Sequence, residues 1–569
     1  MLPPKTPPPV GAAIERVLSL DRLDELYDRV RSEPDGGFCA NLLSALNVQV
    51  RVSEADRRRI PREGPVVAVA NHPFGFIEGI ILGSLLPSLR PDVKIMANFI
   101  LASVPELRKV VIPVDPFGGE QSVRANLRGL KESLEWLERG GMLVIFPAGE
   151  VAHLDVRRRA VTDPEWSHSI ARLLRKTKAT ALPIYFSGTN GPLFQLAGLI
   201  HPRLRTALLP HEFLNKHGQT VELRVGSPVP CKRLATLQND EEAMDYLRSR
   251  TFLLENRQRE KAAPSARTKN AGRPIVPAIP AATLDREIAA LPSHTSLVES
   301  GEFQVLLVTA HQAPNVLREI GRLRETTFRA AGEGTGQPLD LDRFDEHYLH
   351  LFLWNRATRE IAGAYRLGQT DRLGLDGLYT RTLFSYGRAF LERLGPALEL
   401  GRSFVIGEYQ KGYQPLLLLW KGIGRYVAAN PRYKVLFGPV SISNDYQPAS
   451  RQIMVDFLRM HEQQPDLAKL VRPRRPFKSR EVPGWGRTAQ WDLEDLASVI
   501  GDIESDQKGV PVLLRQYLKV GGKLVAFNVD PEFSDALDGL IVVDLKATSP
   551  KMLERYMGKE GAAALAASA

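Results

Sequence analysis

Hydrophobic positions along this chain fall into short unbroken runs separated by helix-period patterns. The runs Val66-Val67-Ala68-Val69-Ala70, Val111-Ile112-Pro113-Val114-Asp115, Met142-Leu143-Val144-Ile145 and Ala181-Leu182-Pro183-Ile184-Tyr185-Phe186 have the length and content of strands covered on both faces. A helical pattern occupies Leu127 to Leu137, between the second and third runs. Each strand closes on a loop rich in Gly or Pro: Asn71 to Gly79, Pro116 to Gly119, Phe146 to Glu150 and Ser187-Gly188. Strands alternating with helices in this way predict an α/β domain whose site lies beyond the strand ends.

The pattern restarts at Phe303. A strand over Phe303 to Val308 precedes a helix over Ala313 to Phe328, with Val316, Ile320 and Leu323 on its apolar stripe. An acidic loop, Asp340 to Asp345, leads to strands at Leu349 to Leu353, Ile361 to Leu367 and Ala397 to Val405, and a polar turn at Glu408 to Pro415 opens an apolar helix at Leu416 to Tyr426. Lys508 to Lys519 predicts a helix before two strands, with Asp538-Gly539 as the turn closing a sheet edge. From Gly561 onward the small, apolar tail predicts a frayed end. The tract Asn256 to Pro280 is polar, cationic and proline-rich, as an exposed linker is. With 569 residues, the expected division is residues 1–255, a linker at 256–283, and a second domain at 284–569.

Candidate chemistry sits first in Asn71-His72-Pro73-Phe74-Gly75-Phe76-Ile77-Glu78-Gly79. A neutral imidazole takes a proton from a hydroxyl when a carboxylate holds its tautomer and stabilises the imidazolium. On a regular helix a six-residue offset turns through ~600°, so His72 and Glu78 meet only if His72 lies in a loop before the helix, which Pro73 and Gly75 permit. The other reading of the same residues is a helix-capping loop with a structural histidine.

In this order the blocks resemble the glycerolipid acyltransferase superfamily over roughly residues 40 to 235, and His-Pro-Phe-Gly with Phe-Pro-Ala-Gly-Glu resembles its hemolysin-like subgroup, which includes lyso-ornithine lipid O-acyltransferases. The resemblance implies His72 and Glu78 as the catalytic pair and Phe146, Pro147, Gly149 and Glu150 as substrate-binding residues. Two departures are informative. The family's acid falls where this chain has Ile77, and the family's Phe-Pro-Glu-Gly-Thr-Arg is replaced by Phe146-Pro147-Ala148-Gly149-Glu150-Val151, with Val114-Asp115 in the second motif. A phosphate site needs a bidentate cation, so the expected acceptor is not a simple phosphate ester. Arg157-Arg158-Arg159 is either a substitute or a solvated or lipid-facing patch, and Glu150 is either a partner of His72 or a helix N-terminal residue.

The second half resembles the GNAT fold of N-acyltransferases, within it the relatives of acyl-homoserine-lactone synthases, on Arg324 with Phe328, Asp342 with Asp345, Arg366, and Glu399 with Arg402. The resemblance implies Glu399 as catalytic proton acceptor, Arg366 and Arg402 as holders of an amino acid's α-carboxylate, and Asp342 and Asp345 as receivers of a second ammonium group. It also implies Gln410, Lys411 and Gly412 as the acyl-donor phosphate turn, although Tyr413 and Pro415 stand where the family has a second Gly or Ala. The whole chain then resembles a fused ornithine lipid synthase. Its C-terminal domain would N-acylate an amino acid, ornithine favoured, with a 3-hydroxyacyl chain, and its N-terminal domain would O-acylate the lyso-lipid hydroxyl. The alternatives are a lysophospholipid acyltransferase with an acyl-carrier docking module, and a non-catalytic membrane-binding protein.

Composition narrows the partners. A net charge of +10, with Arg57-Arg58-Arg59 and the Arg472 to Lys478 cluster, suits an anionic membrane surface and acidic acyl carrier protein. The clusters lack interleaved aromatics, which argues against nucleic acid. The longest apolar stretch, Gly79 to Leu89, falls short of the ~20 residues of a spanning helix, Met1 to Pro9 lacks the apolar core of a signal peptide, and two cysteines, Cys39 and Cys231, suit a reducing compartment. The expectation is a peripheral enzyme at the cytoplasmic face of a bacterial inner membrane, with no bound cofactor or metal and with acyl carrier protein or coenzyme A thioesters as donors.

Overall fold

The apolar runs become strands of two separate sheets in the computed structural model, which describes residues 20–31, 37–115, 120–156, 159–258, 272–486 and 491–567. The chain divides into two units, one of residues 1–258 with 482–490, the other of 259–481 with 491–569. Residues 259–271 of the expected linker, like the Pro116 to Gly119 loop, Arg157 and Arg158, lie outside the described residues. A helix, Ala281–Ala289, already begins within the stretch read as linker.

In the first unit the strands are β1 (Gln49–Arg51), β2 (Val66–Ala70), β3 (Val93–Asn98), β4 (Val111–Val114), β5 (Met142–Ile145), β6 (His153–Asp155), β7 (Ala160–Thr162), β8 (Thr180–Ser187) and β9 (Thr220–Val225). Seven of them form one sheet in the order β1-β9-β8-β2-β5-β3-β4. Pairing is parallel except between β8 and β9, and β6 with β7 makes a separate hairpin. Every residue of β2 and β5 is buried, which is why those runs carry no polar alternation. Pro113 is tolerated because β4 is an edge strand. After β2 the chain crosses by the helix Ile77–Leu85 to β3, beyond β5, whereas after β5 it continues to β8 on the opposite flank of β2. The direction of winding reverses at this pair. With Val69 in register with Ile145, the loops that follow β2 and β5 open side by side beyond the carboxyl ends.

In the second unit lie β10 (Ser296–Ser300), β11 (Phe303–Thr309), β12 (Leu349–Asn355), β13 (Glu360–Gln369), β14 (Phe384–Ser385), β15 (Ala397–Val405), β16 (Val435–Ile442), β17 (Arg472–Pro473), β18 (Lys523–Asp530) and β19 (Ala536–Asp544). Eight of them form a sheet in the order β10-β11-β12-β13-β15-β16-β19-β18. All neighbours are antiparallel except β15 and β16, which pair in parallel over three residues only, Ala397 with Val435 to Glu399 with Phe437. Both strands continue beyond that point, so they part and leave a gap in the sheet. On one face, helix Pro314–Ala330 packs Val316, Ile320 and Leu323 with Leu306, Val308 and Phe352. A second apolar cluster covers the β16 end with Phe384, Phe390, Phe437 and Leu540. The polar residues of the acidic loop lie between these clusters.

Two expectations at the C-terminus are corrected. Asp538 and Gly539 lie inside β19, and the reversal is made before it by Pro531–Phe533 with Ser534 and Asp535 at positive φ. The tail is helical through Ala567: within Pro550–Ala567 the chain kinks at Gly558, the helix resumes through Gly561, and Leu565 is buried. A glycine at 561 lets that helix approach Ala428 of the helix Gln414–Ala429 closely.

At the start of the gap, a Cβ on Gly438 would overlap the carbonyl oxygen of Leu400, whereas one on Gly401 enters open space. Gly438→Ala is therefore expected to destabilise the protein by about 1–3 kcal/mol, as overpacking does, with Gly401→Ala much closer to wild type. Thermal and urea unfolding of the two variants measures the difference.

Candidate active sites

The loop after β2 is pinned before it reaches His72. The Asn71 side chain donates to Phe186 O at 2.9 Å and accepts from Phe186 N at 2.7 Å. The His72 backbone N–H donates to Asp163 Oδ1 at 3.2 Å, and its carbonyl accepts from Ala152 N at 2.8 Å. The chain then curls around a carboxylate. Glu78, fully buried in the first turn of the helix Ile77–Leu85, accepts from Phe74 N at 2.6 Å and from Gly75 N at 3.2 Å. Gly75 makes that curl at φ 109°, where a Cβ would also press on Leu209. His72 therefore precedes the helix, and its Nδ1 lies 3.3 Å from Glu78 Oε1. Its ring stacks on Phe146, with centroids 4.3 Å apart. With Nδ1 turned to Glu78, Nε2 is the nitrogen left to meet a substrate hydroxyl. Burial raises the Glu78 carboxyl, but the His72 ring and the Phe74 N–H outweigh it and hold the group below its ordinary range.

A second constellation lies on the face of the eight-stranded sheet between its two apolar clusters. Arg366 Nη1 reaches Asp342 Oδ1 at 2.6 Å and Asp345 Oδ2 at 3.3 Å, and Arg324 Nη1 reaches Asp345 Oδ1 at 2.7 Å. Arg402, beyond the last residue of β15 that pairs with β16, lies 3.6 Å from both Asp340 and Asp342 and packs over the rings of Tyr379 and Phe533. Buried Nε and Nη2 of Arg324 and Arg366, and Nε of Arg402, have no hydrogen-bond partner, nor do Asp340 Oδ2 and Asp342 Oδ2. Such atoms are costly unless a polar ligand or water meets them. Burial lowers the nearby His350 to about 4, Arg324 adding to the effect, so that imidazole is neutral at pH 7.

Comparison with known proteins agrees with both halves. A family model described as Acyltransferase matches residues 38–260, and one described as Acetyltransferase (GNAT) domain matches residues 323–421. A glycine N(alpha)-acyltransferase of Bacteroides thetaiotaomicron is 36% identical over 42% of this chain and 77% of its own length. The chain belongs to the acyltransferases. A lyso-glycine lipid O-acyltransferase of Phocaeicola vulgatus is 23% identical to this acyltransferase over 39% of the chain and 78% of the relative. The enzyme thus joins an N-terminal acyltransferase domain to a C-terminal GNAT domain, both α/β.

Several residues of this acyltransferase sit differently from the sequence-based expectation. Glu150 neither touches His72 nor opens a helix: it lies in a turn and pairs with Arg205 at 2.7 Å. Phe146 supports the imidazole, Pro147 O accepts from Ser167 N at 2.9 Å, and Gly149, at φ 66°, closes the turn onto Phe146 O. Asp345 is taken up by Arg324 and Arg366, whereas Asp342 meets Arg366 through Oδ1 and keeps Oδ2 without a hydrogen bond. Glu399 is buried, and its oxygens accept from Thr380 N at 2.7 Å, Tyr379 N at 3.0 Å and the Tyr348 hydroxyl. These three donors take up its two oxygens, and it anchors the 379–380 loop. In the donor turn, the Gln410 and Gly412 N–H groups fold back onto Gly407 O and Tyr409 O instead of pointing outward, and the Gln410 side chain donates to Val405 O. Lys411 in the same turn has an exposed side chain. Asp163, which also accepts from Trp166, was missed: it carries no motif and reaches His72 from 91 residues downstream.

Because its pKa is lowered on folding, Glu78 contributes stability above its ordinary value that is lost as pH falls through the lowered one. Melting temperature should therefore drop more steeply for wild type than for Glu78→Gln as pH is lowered from about 6 to about 3.

Proposed function

We propose that this acyltransferase builds a diacylated aminolipid in two steps, N-acylating an amino acid in its C-terminal domain and O-acylating the resulting 3-hydroxyacyl group in its N-terminal domain. The observation that carries the reading is the His72–Glu78 apposition beyond β2. In the second step His72 Nε2 takes the proton of the lyso-lipid hydroxyl, and the freed oxygen attacks the thioester carbonyl. The C–O bond forms, the C–S bond breaks, and the thiol leaves with the proton from the imidazolium, which Glu78 stabilises meanwhile. Relatives named for each step support the pairing of the two reactions. Acyl carrier protein is the proposed donor, consistent with the chain's net charge of +10, and coenzyme A is the other thioester that fits.

Arg402, with an unpartnered buried Nε, is the proposed holder of the α-carboxylate. Ornithine was favoured on sequence because Asp342 and Asp345 were to receive its side-chain ammonium. With Asp345 held by two arginines, glycine, the amino acid in the relatives' names, fits at least as well. Co-location of the two sites in one chain raises the local concentration of the intermediate.

An anionic membrane surface is the proposed partner. On the helix Pro192–Ile200 and just after it, Leu193, Leu196, Leu199, Ile200 and Leu204 are between 46% and 79% exposed, while Phe194 packs inward with Val151, Leu208 and Leu209, the last against the Gly75 loop. This apolar face adjoins the His72 site, where a lipid would be delivered. No described helix is long and apolar enough to cross a membrane.

Expression in a bacterial host lacking aminolipids, followed by lipid mass spectrometry, tests the two steps. Wild type should yield a diacylated aminolipid whose mass identifies the amino acid, and His72→Ala should stop at the monoacylated form. A host profile changed only in phospholipids would instead favour the lysophospholipid reading. For the surface, Leu196→Glu with Ile200→Glu should lose most binding to phosphatidylglycerol-containing vesicles in flotation assays, yet keep O-acylation in detergent micelles.

A further inference from the structure

The α-amine of an amino acid is an ammonium ion at neutral pH and must lose a proton before its lone pair can attack a thioester. The oxygens of Glu399 are taken up by three donors that tie down the 379–380 loop. Another carboxylate stands on the same face of the sheet. Asp538 of β19 lies opposite Ser441 of β16 in register, is buried, and accepts a hydrogen bond from Ser441 Oγ at 2.7 Å.

The parting of β15 and β16 sets the geometry. Pairing ends at Glu399 and Phe437; Arg402 follows on one bank of the gap, and Ser441, with Asp538 behind it, on the other. The guanidinium carbon of Arg402 lies 4.3 Å from the centre of the Phe533 ring, in the turn that joins β18 to β19, and 4.9 Å from that of Tyr379. Arg402 is also close enough to Asp538 for its charge to act on that carboxyl, so a zwitterionic amino acid held by Arg402 would have its ammonium end near this carboxylate.

We propose that Asp538 is the proton acceptor for amine acylation in the C-terminal domain, acting across the β15–β16 gap from Arg402. This rests on the two-step reading above. Asp538 takes one proton from the ammonium group, and the amine lone pair forms a C–N bond to the carbonyl carbon of the acyl thioester. The C–S bond breaks, and the thiolate leaves as a thiol with a second proton from that nitrogen. The third stays on the amide, and Asp538 returns its proton to solvent. The surroundings suit the task. Burial pushes the Asp538 carboxyl up to about 7, with Asp530 of β18 and Glu333, after the helix Pro314–Ala330, adding to the rise, and Ser441 and Arg402 opposing it. Tyr379 also faces this group. Glu333, likewise raised to about 7 by burial, faces Asp445 as well and supplies the control.

The test uses the purified full chain, a 3-hydroxyacyl thioester of acyl carrier protein, and glycine or ornithine, with kcat and KM measured across pH. Wild-type kcat should rise through about pH 7. Asp538→Asn should lower kcat by about 10²–10⁴-fold, with little change in KM for the amino acid, and abolish that rise. Ser441→Ala removes a hydrogen bond to the charged carboxylate, so it should move the rise to higher pH while leaving the plateau, and Glu333→Gln should keep the rise. Wild-type kcat and pH dependence in Asp538→Asn would overturn the assignment alone, as would an unmoved rise in Ser441→Ala if Asp538→Asn fails to fold. A wild-type chain inert toward every amino acid would overturn the two-step reading and the assignment with it.

Discussion

An ionised group removed from water must be met by opposite charge or by hydrogen-bond donors, and both candidate sites are arranged around that constraint. Glu78 is fully buried, and the chain satisfies it by bending the preceding loop until two backbone N–H groups and an imidazole converge on one oxygen. The bend needs Gly75 at positive φ and carries His72 out of the helix. What orients the histidine is thus the same interaction that makes the buried carboxylate tolerable.

In the C-terminal domain the same constraint yields a network instead of a pair. Asp342 and Asp345 are matched by Arg366 and Arg324, and Glu399 by the Tyr348 hydroxyl and the N–H groups of the 379–380 loop. Groups engaged in this way hold the architecture. Other groups stand at the edge of this network: Arg402, at ion-pair distance from two carboxylates with Nε lacking a hydrogen bond, and Asp538, whose carboxyl accepts from the Ser441 hydroxyl. Sheet geometry then supplies access, because β15 and β16 pair for three residues and separate where Gly438 permits their close approach.

Much of the fold was legible in the hydrophobic pattern. β2 and β5 coincide with the predicted runs, since a strand buried on both faces in a parallel sheet admits no polar residue, and β15 matches the predicted Ala397 to Val405. Helix ends were less legible: Glu120–Glu138 begins well before the apolar stripe at Leu127, because its first turns carry polar residues. Asp538-Gly539 was misplaced because turn-forming residues can also occupy a buried strand when a neighbour, here Ser441, satisfies the side chain.

The sequence by itself determined the two α/β domains, the strand-end position of His72 and the presence of a carboxylate within reach of it, because periodicity and loop chemistry are local properties. Tertiary structure alone decided which carboxylates are occupied. Asp342, Asp345, Glu399 and Asp538 are equivalent as letters. They differ in which donors and cations converge on each from strands, helices and loops distant along the chain.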